Sequence, residues 1–131
     1  MADTVDVKVL RSNTNRYVQH LTNESDGTGE SAVVKLDIST LSLPDGTTPV
    51  TASVESIEYS VSGFNYVVLE WDATTNDEIA VLTGSGYIDW LDVGGAHDPQ
   101  STGSTGDVVL TTDGAIDGAS YDITIRYKLK N

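Results

Sequence analysis

The residues of this 131-residue chain that could do chemistry are two histidines and several acid–aromatic pairs. A histidine serves as general base for a nucleophile only when a hydroxyl is brought to its ring and a third group orients it. His20 lies in a run with strand-like alternation, and His97 lies in a glycine-rich segment beside Asp98. No strand–turn–helix nucleophile elbow accompanies either one, so both read as structural or surface residues. Glu70 and Asp72 share one face of a strand pattern with Trp71 on the other, and Asp89 precedes Trp90. Glycoside hydrolysis uses two carboxylates flanking the scissile bond. Alternation along a strand produces such pairs without any catalytic purpose, and a small sandwich leaves little room for a cleft. The expectation is a non-enzymatic protein with no catalytic residues.

Ligand chemistry is equally sparse. Ser25-Asp26-Gly27-Thr28-Gly29-Glu30 and Asp113-Gly114-Ala115-Ile116-Asp117-Gly118 supply carboxylates of the kind calcium takes. Neither has EF-hand spacing, and Asp-Gly is also the composition of a hairpin turn. Calcium in a loop is left open, and no metal ligand set or cofactor is expected. Gly84-Ser85-Gly86 and Gly103-Ser104-Thr105-Gly106 are followed by no lysine and lack a phosphate-binding pattern. The absence of cysteine excludes thiolate metal sites, thiol redox chemistry and disulfides. Asn23-Glu24-Ser25 matches a glycosylation acceptor, but Met1–Asp6 is acidic and shows no secretion signal. Trp71, Trp90, Tyr66 and Tyr87 could stack on sugar if exposed in a row, although aromatics at strand positions more often fill a core or an interface.

Charge narrows the partners. From residue 36 to residue 125 there is no lysine or arginine, while 15 of the 20 acidic residues fall in that stretch. Phosphate backbones and anionic membrane surfaces both demand distributed cations, so neither nucleic acid nor membrane is expected as a partner. No apolar run approaches the ~20 residues of a membrane span. The basic residues sit at the two ends: Lys8, Arg11, Arg16 and Lys35, then Arg126, Lys128 and Lys130. If the end strands are neighbours, the molecule has a basic pole on an acidic body of net charge −13. The plainer alternative is that these are ordinary solubilising charges.

The elements that must position these residues are strands. Tyr121, Ile123, Ile125, Tyr127 and Leu129 alternate with Asp122, Thr124, Arg126 and Lys128, which marks one buried and one wet face. Val5, Val7 and Val9 alternate likewise with Asp6, Lys8 and Leu10. Further runs are Arg16–Thr22, Ala32–Ile38, Thr51–Ser62, Tyr66–Asp72, Glu78–Leu82, Tyr87–Trp90 and Asp107–Thr112. Within Thr51–Ser62 the apolar phase slips between Val54 and Ile57, which predicts a β-bulge. Asp-Gly turns at 26–27, 45–46, 113–114 and 117–118 separate the runs, with Pro44 and Pro49 bracketing the second. Residues 94–106 read as a long surface loop, and no helical stripe is present. The expected fold is all-β: a single-domain antiparallel β-sandwich of eight or nine strands over residues 1–131, with a jelly roll open to it. Residues 1–15 could extend as an arm, although their alternation argues for pairing.

Several strings together resemble small β-rich structural proteins of tailed bacteriophages. They are residues 16–23 (RYVQHLTN), 25–31 (SDGTGES), 33–37 (VVKLD), 69–72 (LEWD), 84–90 (GSGYIDW), 105–107 (TGD) and 121–124 (YDIT). The resemblance implies a virion protein of the capsid decoration, or cement, type, made in the host cytoplasm and placed on the capsid surface. Its partner would be the major capsid protein, and by analogy it would be a homo-oligomer, with a trimer favoured. Lys8, Arg11, Arg16, Arg126 and Lys128 are the candidate capsid contacts. A tail or head-fibre component, or a carbohydrate-binding β-sandwich module, are the alternative readings.

Overall fold

The computed structural model describes residues 3–13, 16–43 and 46–130, with the backbone alone at 10–13. Ten strands follow in chain order: β1 Thr4–Asn13, β2 Arg16–Asp26, β3 Val33–Leu36, β4 Thr51–Ser62, β5 Tyr66–Trp71, β6 Asp77–Leu82, β7 Gly84–Asp89, β8 Ala96–His97, β9 Val108–Asp113 and β10 Asp117–Lys130. The described residues contain no α-helix, only single 3₁₀ turns at Ile38–Thr40 and Leu91–Val93. The larger sheet has the order β1-β2-β10-β4-β7, with β8 also on β4, and the smaller sheet has the order β3-β9-β5-β6. Every pairing is antiparallel. Leaving β1 and β8 aside, the pairs β2–β10, β3–β9, β4–β7 and β5–β6 are the rungs of one long hairpin wrapped into two sheets. That is a jelly roll.

Period-two alternation builds the core between the sheets. In β10, Ala119, Tyr121, Ile123, Ile125, Tyr127 and Leu129 are all buried, and the residues between them face outward. Across from them the smaller sheet contributes Leu36, Val67, Leu69, Trp71, Val108 and Leu110. The bulge in β4 is where the phase slip predicts it. Arg126 pairs with Ser56 and Tyr127 with Val54, so Glu55 is the extra residue. Glycine is required at the β4–β5 turn: Gly63 has φ +86°, and a Cβ there would stand 2.8 Å from the Ala119 Cα.

Each expected run coincides with a strand. The tenth strand, β8, lies inside the expected 94–106 loop and pairs with Ser53 and Val54. Two residues are too few to show a period. Thr4–Asn13 of the segment that could have extended as an arm is paired along β2. Pro44 and Asp45 of the second expected turn lie outside the described residues.

A polar network ties the two sheets together. Lys35 of β3 is buried and donates to Glu30 Oε2 at 2.5 Å, with the two side chains 2% and 5% exposed. Glu30 Oε1 accepts from Tyr121 Oη at 2.5 Å and from Asn23 Nδ2 at 2.8 Å. The Lys35 carbonyl accepts from Gln19 Nε2 at 2.6 Å, and Gln19 Oε1 accepts from Tyr127 Oη at 3.1 Å. Burial pushes the Tyr121 and Tyr127 phenols well above their usual 10.0, and the Glu30 carboxylate adds to this at Tyr121.

Two outcomes are expected. Lys35→Met should cost about 3–5 kcal/mol in urea unfolding, because it leaves a buried carboxylate unpaired. Adding Glu30→Gln should recover much of that loss. The raised phenol pKa values mean that unfolded tyrosines lose protons where the folded ones keep them. Their contribution to stability is therefore complete below pH 10.0 and falls as the pH rises above it. The slope should be about 1.4 kcal/mol per pH unit per tyrosine. Urea titrations on both sides of that pH check the slope, and Tyr127→Phe should make it shallower.

Candidate functional site

Because β2 lies between β1 and β10, the two chain ends meet on the outer face of the larger sheet. Residues directly opposite across a ladder share a face, with Cβ atoms about 4.5–5.5 Å apart. Arg16 stands opposite Lys128, and the backbone of Arg11 and that of Arg126 both stand opposite Val18. Lys8 stands opposite His20. Farther along the same face come Asp6 opposite Thr22, Thr22 opposite Asp122, and Glu24. The face thus runs from basic at one end of the sheet to acidic at the other.

The cations differ in how they are held. Arg16 donates to Glu55, the bulge residue, whose side chain is only 13% exposed. Without that carboxylate Arg16 and Lys128 would repel each other. Arg126 is exposed, and its Nη1 lies 3.5 Å from Ser56 Oγ, at the outer limit of a hydrogen bond. Lys130 Nζ lies 2.6 Å from His97 Nδ1. Lys8 is exposed, while the side chain of Arg11 lies outside the described residues. Lys35, the seventh basic residue, is absent from this face because it is buried between the sheets.

A shallow depression of about 490 Å³ opens between β2, β4 and β10, lined by Arg16, Glu55, Arg126, Tyr87 and Leu91 among others. Tyr87 is 55% and Leu91 53% exposed, so the depression has charged walls and an apolar rim. The phase slip that betrays the bulge was the available signal for Glu55. Nothing in the local pattern marked Leu91, which a 3₁₀ turn carries to this face.

The other candidates fall elsewhere. Trp71 is buried at 2% exposure and Trp90 packs partly against the core, so they form no row with Tyr87. Glu70 faces Glu78 across β5–β6, and Asp72 Oδ2 accepts from Thr105 Oγ1 at 2.9 Å. Asp89 Oδ1 accepts from the Leu91 amide at 2.8 Å and so shapes the turn that follows. His20 lies 2.7 Å from Asp122 on the outer face. The fold does bring a hydroxyl to His97: Ser53 Oγ is 2.8 Å from Nδ1. Ser53 is only 1% exposed, however, and the third group is the Lys130 ammonium rather than a carboxylate. Asn23 is also 1% exposed and its amide donates to Asp3 and Glu30, which leaves it inaccessible for glycosylation.

The 25–30 loop is organised around an anion. Asp3 Oδ1 accepts from Ser25 Oγ and from the amides of Asp26 and Gly29 at 3.0–3.2 Å. Burial alone would raise the Asp3 pKa, but donation from Asn23, Gly29, Ser25 and Asp26 outweighs it and holds the carboxyl below its usual 3.8. Amides converging on a carboxylate create a setting for negative charge, and both Glu30 oxygens are already accepting from protein donors. In the second acidic loop, Asp113 Oδ2 accepts from Asn65 Nδ2 at 2.9 Å. Among the described residues no group of three or more His, Asp or Glu side chains is placed to hold a metal ion. No helix among them is long and apolar enough to cross a membrane.

No family model and no curated protein matches the chain. Among solved structures it is similar to a low-affinity xylan-binding module, CBM86, from the gut symbiont Roseburia intestinalis. That match has 11% identity, covers 99% of this chain and 97% of that one, and has a TM-score of 0.28. A likeness at that level carries no functional argument.

The bulge carboxylate gives the prediction here. Glu55→Gln should lower unfolding stability by about 0.5–1 kcal/mol, because Arg16 and Lys128 then face each other uncompensated. The loss should shrink as salt is raised toward roughly 1 M, where such charges are screened.

Proposed function

We propose that this chain is a non-enzymatic structural protein of a tailed-phage virion, a capsid decoration protein. It docks on the outer capsid lattice through the basic end of the larger sheet's outer face. The observation that carries this reading is the cross-strand gathering of Arg16, Arg126 and Lys128 on an otherwise acidic molecule. Such a pole steers the molecule toward an acidic protein surface and fixes which side meets it. The major capsid protein, repeated across the shell, supplies many such surfaces. Weak single contacts then add up when one unit bridges neighbouring capsomers. The acidic remainder faces solvent and keeps coated particles apart. The protein is made in the host cytoplasm and resides on the capsid surface.

One observation favours a second reading. Tyr87 is exposed beside Arg16 and Glu55 in the same depression, a setting in which a sugar ring could stack. A carbohydrate-binding module would use Tyr87, whereas decoration relies on Arg126 and Lys128.

The test is reconstitution on capsids lacking the protein. Wild type should bind at near-stoichiometric occupancy and be released by added salt. Arg126→Glu/Lys128→Glu should fail to coat at roughly physiological ionic strength. Undiminished coating by that variant with unchanged salt dependence would reject docking through this face. Occupancy of only a few copies per particle would favour a tail or fibre position. Retention on a glycan array that is lost with Tyr87→Ala would favour the carbohydrate reading.

A further inference from the structure

β1 is the outermost strand of the larger sheet, ten residues long, with β2 on one side and, among the described residues, no strand on the other. Exposed edges invite pairing with another chain and are usually blunted by brevity, bulges or inward charges. The edges of the smaller sheet show such devices: β3 has four residues and β6 begins Asp77-Glu78. β7, the opposite edge of the larger sheet, is weakened as a strand by Gly84 and Gly86. Along Thr4–Val9, β1 carries one edge lysine, Lys8, balanced by Asp6, and its register shift falls between Val9 and Arg11. The register with β2 sets Val5, Val7 and Val9 opposite the buried Asn23, Leu21 and Gln19, on the core-facing side. Yet these valines are 39%, 40% and 51% exposed. An apolar row therefore lies open at a free edge.

We propose that a second copy of this chain pairs with β1, strand against strand, about a two-fold axis at Val7, so that the larger sheet runs through both copies. Symmetry and charge select this occupant and this register. A two-fold axis that relates two antiparallel edge strands stands normal to the sheet. It keeps core-facing residues on the same side, so valines meet valines and outward residues meet outward residues. An axis at Asp6 would set aspartate on aspartate, and an axis at Lys8 would set lysine on lysine. An axis at Val5 sets Asp6 against Thr4, and one at Val9 moves Lys8 beyond Val9 of the partner copy, so neither pairs the charges. Only the axis at Val7 places Asp6 opposite Lys8 twice over, with Val7 on Val7 and Val5 on Val9 covering the open row. Thr4–Val9 carries one aspartate and one lysine, so this edge is neutral on a chain of net charge −13. Repulsion between copies is weakest there.

The experiment is the mass of the intact chain by sedimentation equilibrium across a concentration series. A concentration-dependent dimer of 13.9 kDa chains is expected. Asp6→Lys alone and Lys8→Asp alone should each raise its Kd by roughly tenfold or more, since symmetry applies each like-charge contact twice. The exchanged double variant, Asp6→Lys/Lys8→Asp, restores opposite charges in the same register and should bring the Kd back toward wild type. Unfolding midpoints of all three, measured in parallel, separate loss of pairing from loss of folding. A monomer at every concentration, a trimer, a dimer indifferent to the single reversals, or a double variant no tighter than the singles would each overturn the proposal.

Discussion

The Lys35–Glu30 ion pair is the constraint from which the arrangement of the two sheets follows. Both charges are almost entirely out of water. A buried pair is tolerable only when its remaining hydrogen-bonding capacity is also satisfied. Here the carboxylate's capacity is met by Asn23 from β2 and Tyr121 from β10, while Gln19 from β2 holds the backbone carbonyl of Lys35. These hydrogen bonds join the 25–30 loop and β3 to β2 and β10, and they are directional where apolar packing is not. Apolar packing alone would accept neighbouring offsets. The polar network therefore selects one relative placement of two layers whose contact is otherwise non-directional.

That placement has a consequence on the opposite side of the larger sheet. Committing Gln19, Asn23 and Tyr121 to the interior commits Val18, His20, Asp122, Thr124, Arg126 and Lys128 to the exterior. The jelly-roll wrap then brings β2 and β10, one from each end of the chain, into a single ladder. The basic end and the acidic end of the outer face are thus products of the strand order. The β4 bulge adds the last detail by inserting Glu55 where it neutralises the crowding of Arg16 and Lys128.

The longest strands, β2 and β10, were legible because they span several full periods of alternation, and burial on one face demands that pattern; β3 and β9 read as short apolar runs bounded by turn residues. The bulge was legible for the same reason, since an inserted residue leaves a phase error. β8 was not, because two residues carry no period and its pairing depends on β4 being alongside. Lys35 reads as one more surface cation in the chain, and only its contact with Glu30 makes it an interior residue. Trp71 and Tyr87 occupy equivalent-looking aromatic positions, yet one fills the core and the other stands in solvent. The difference lies in which face of its strand meets the second sheet.

By itself the sequence determined the fold class and the layout of charge along the chain. These depend on local alternation and on composition, which no packing arrangement can change. The tertiary structure alone decided that the two basic chain ends share a face, that one of their cations is buried, and that the Val5, Val7 and Val9 row lies open at an edge. Each of these depends on which strands become neighbours. That choice is made by contacts between residues as far apart as Gln19 and Tyr127, and short-range patterning carries no record of it.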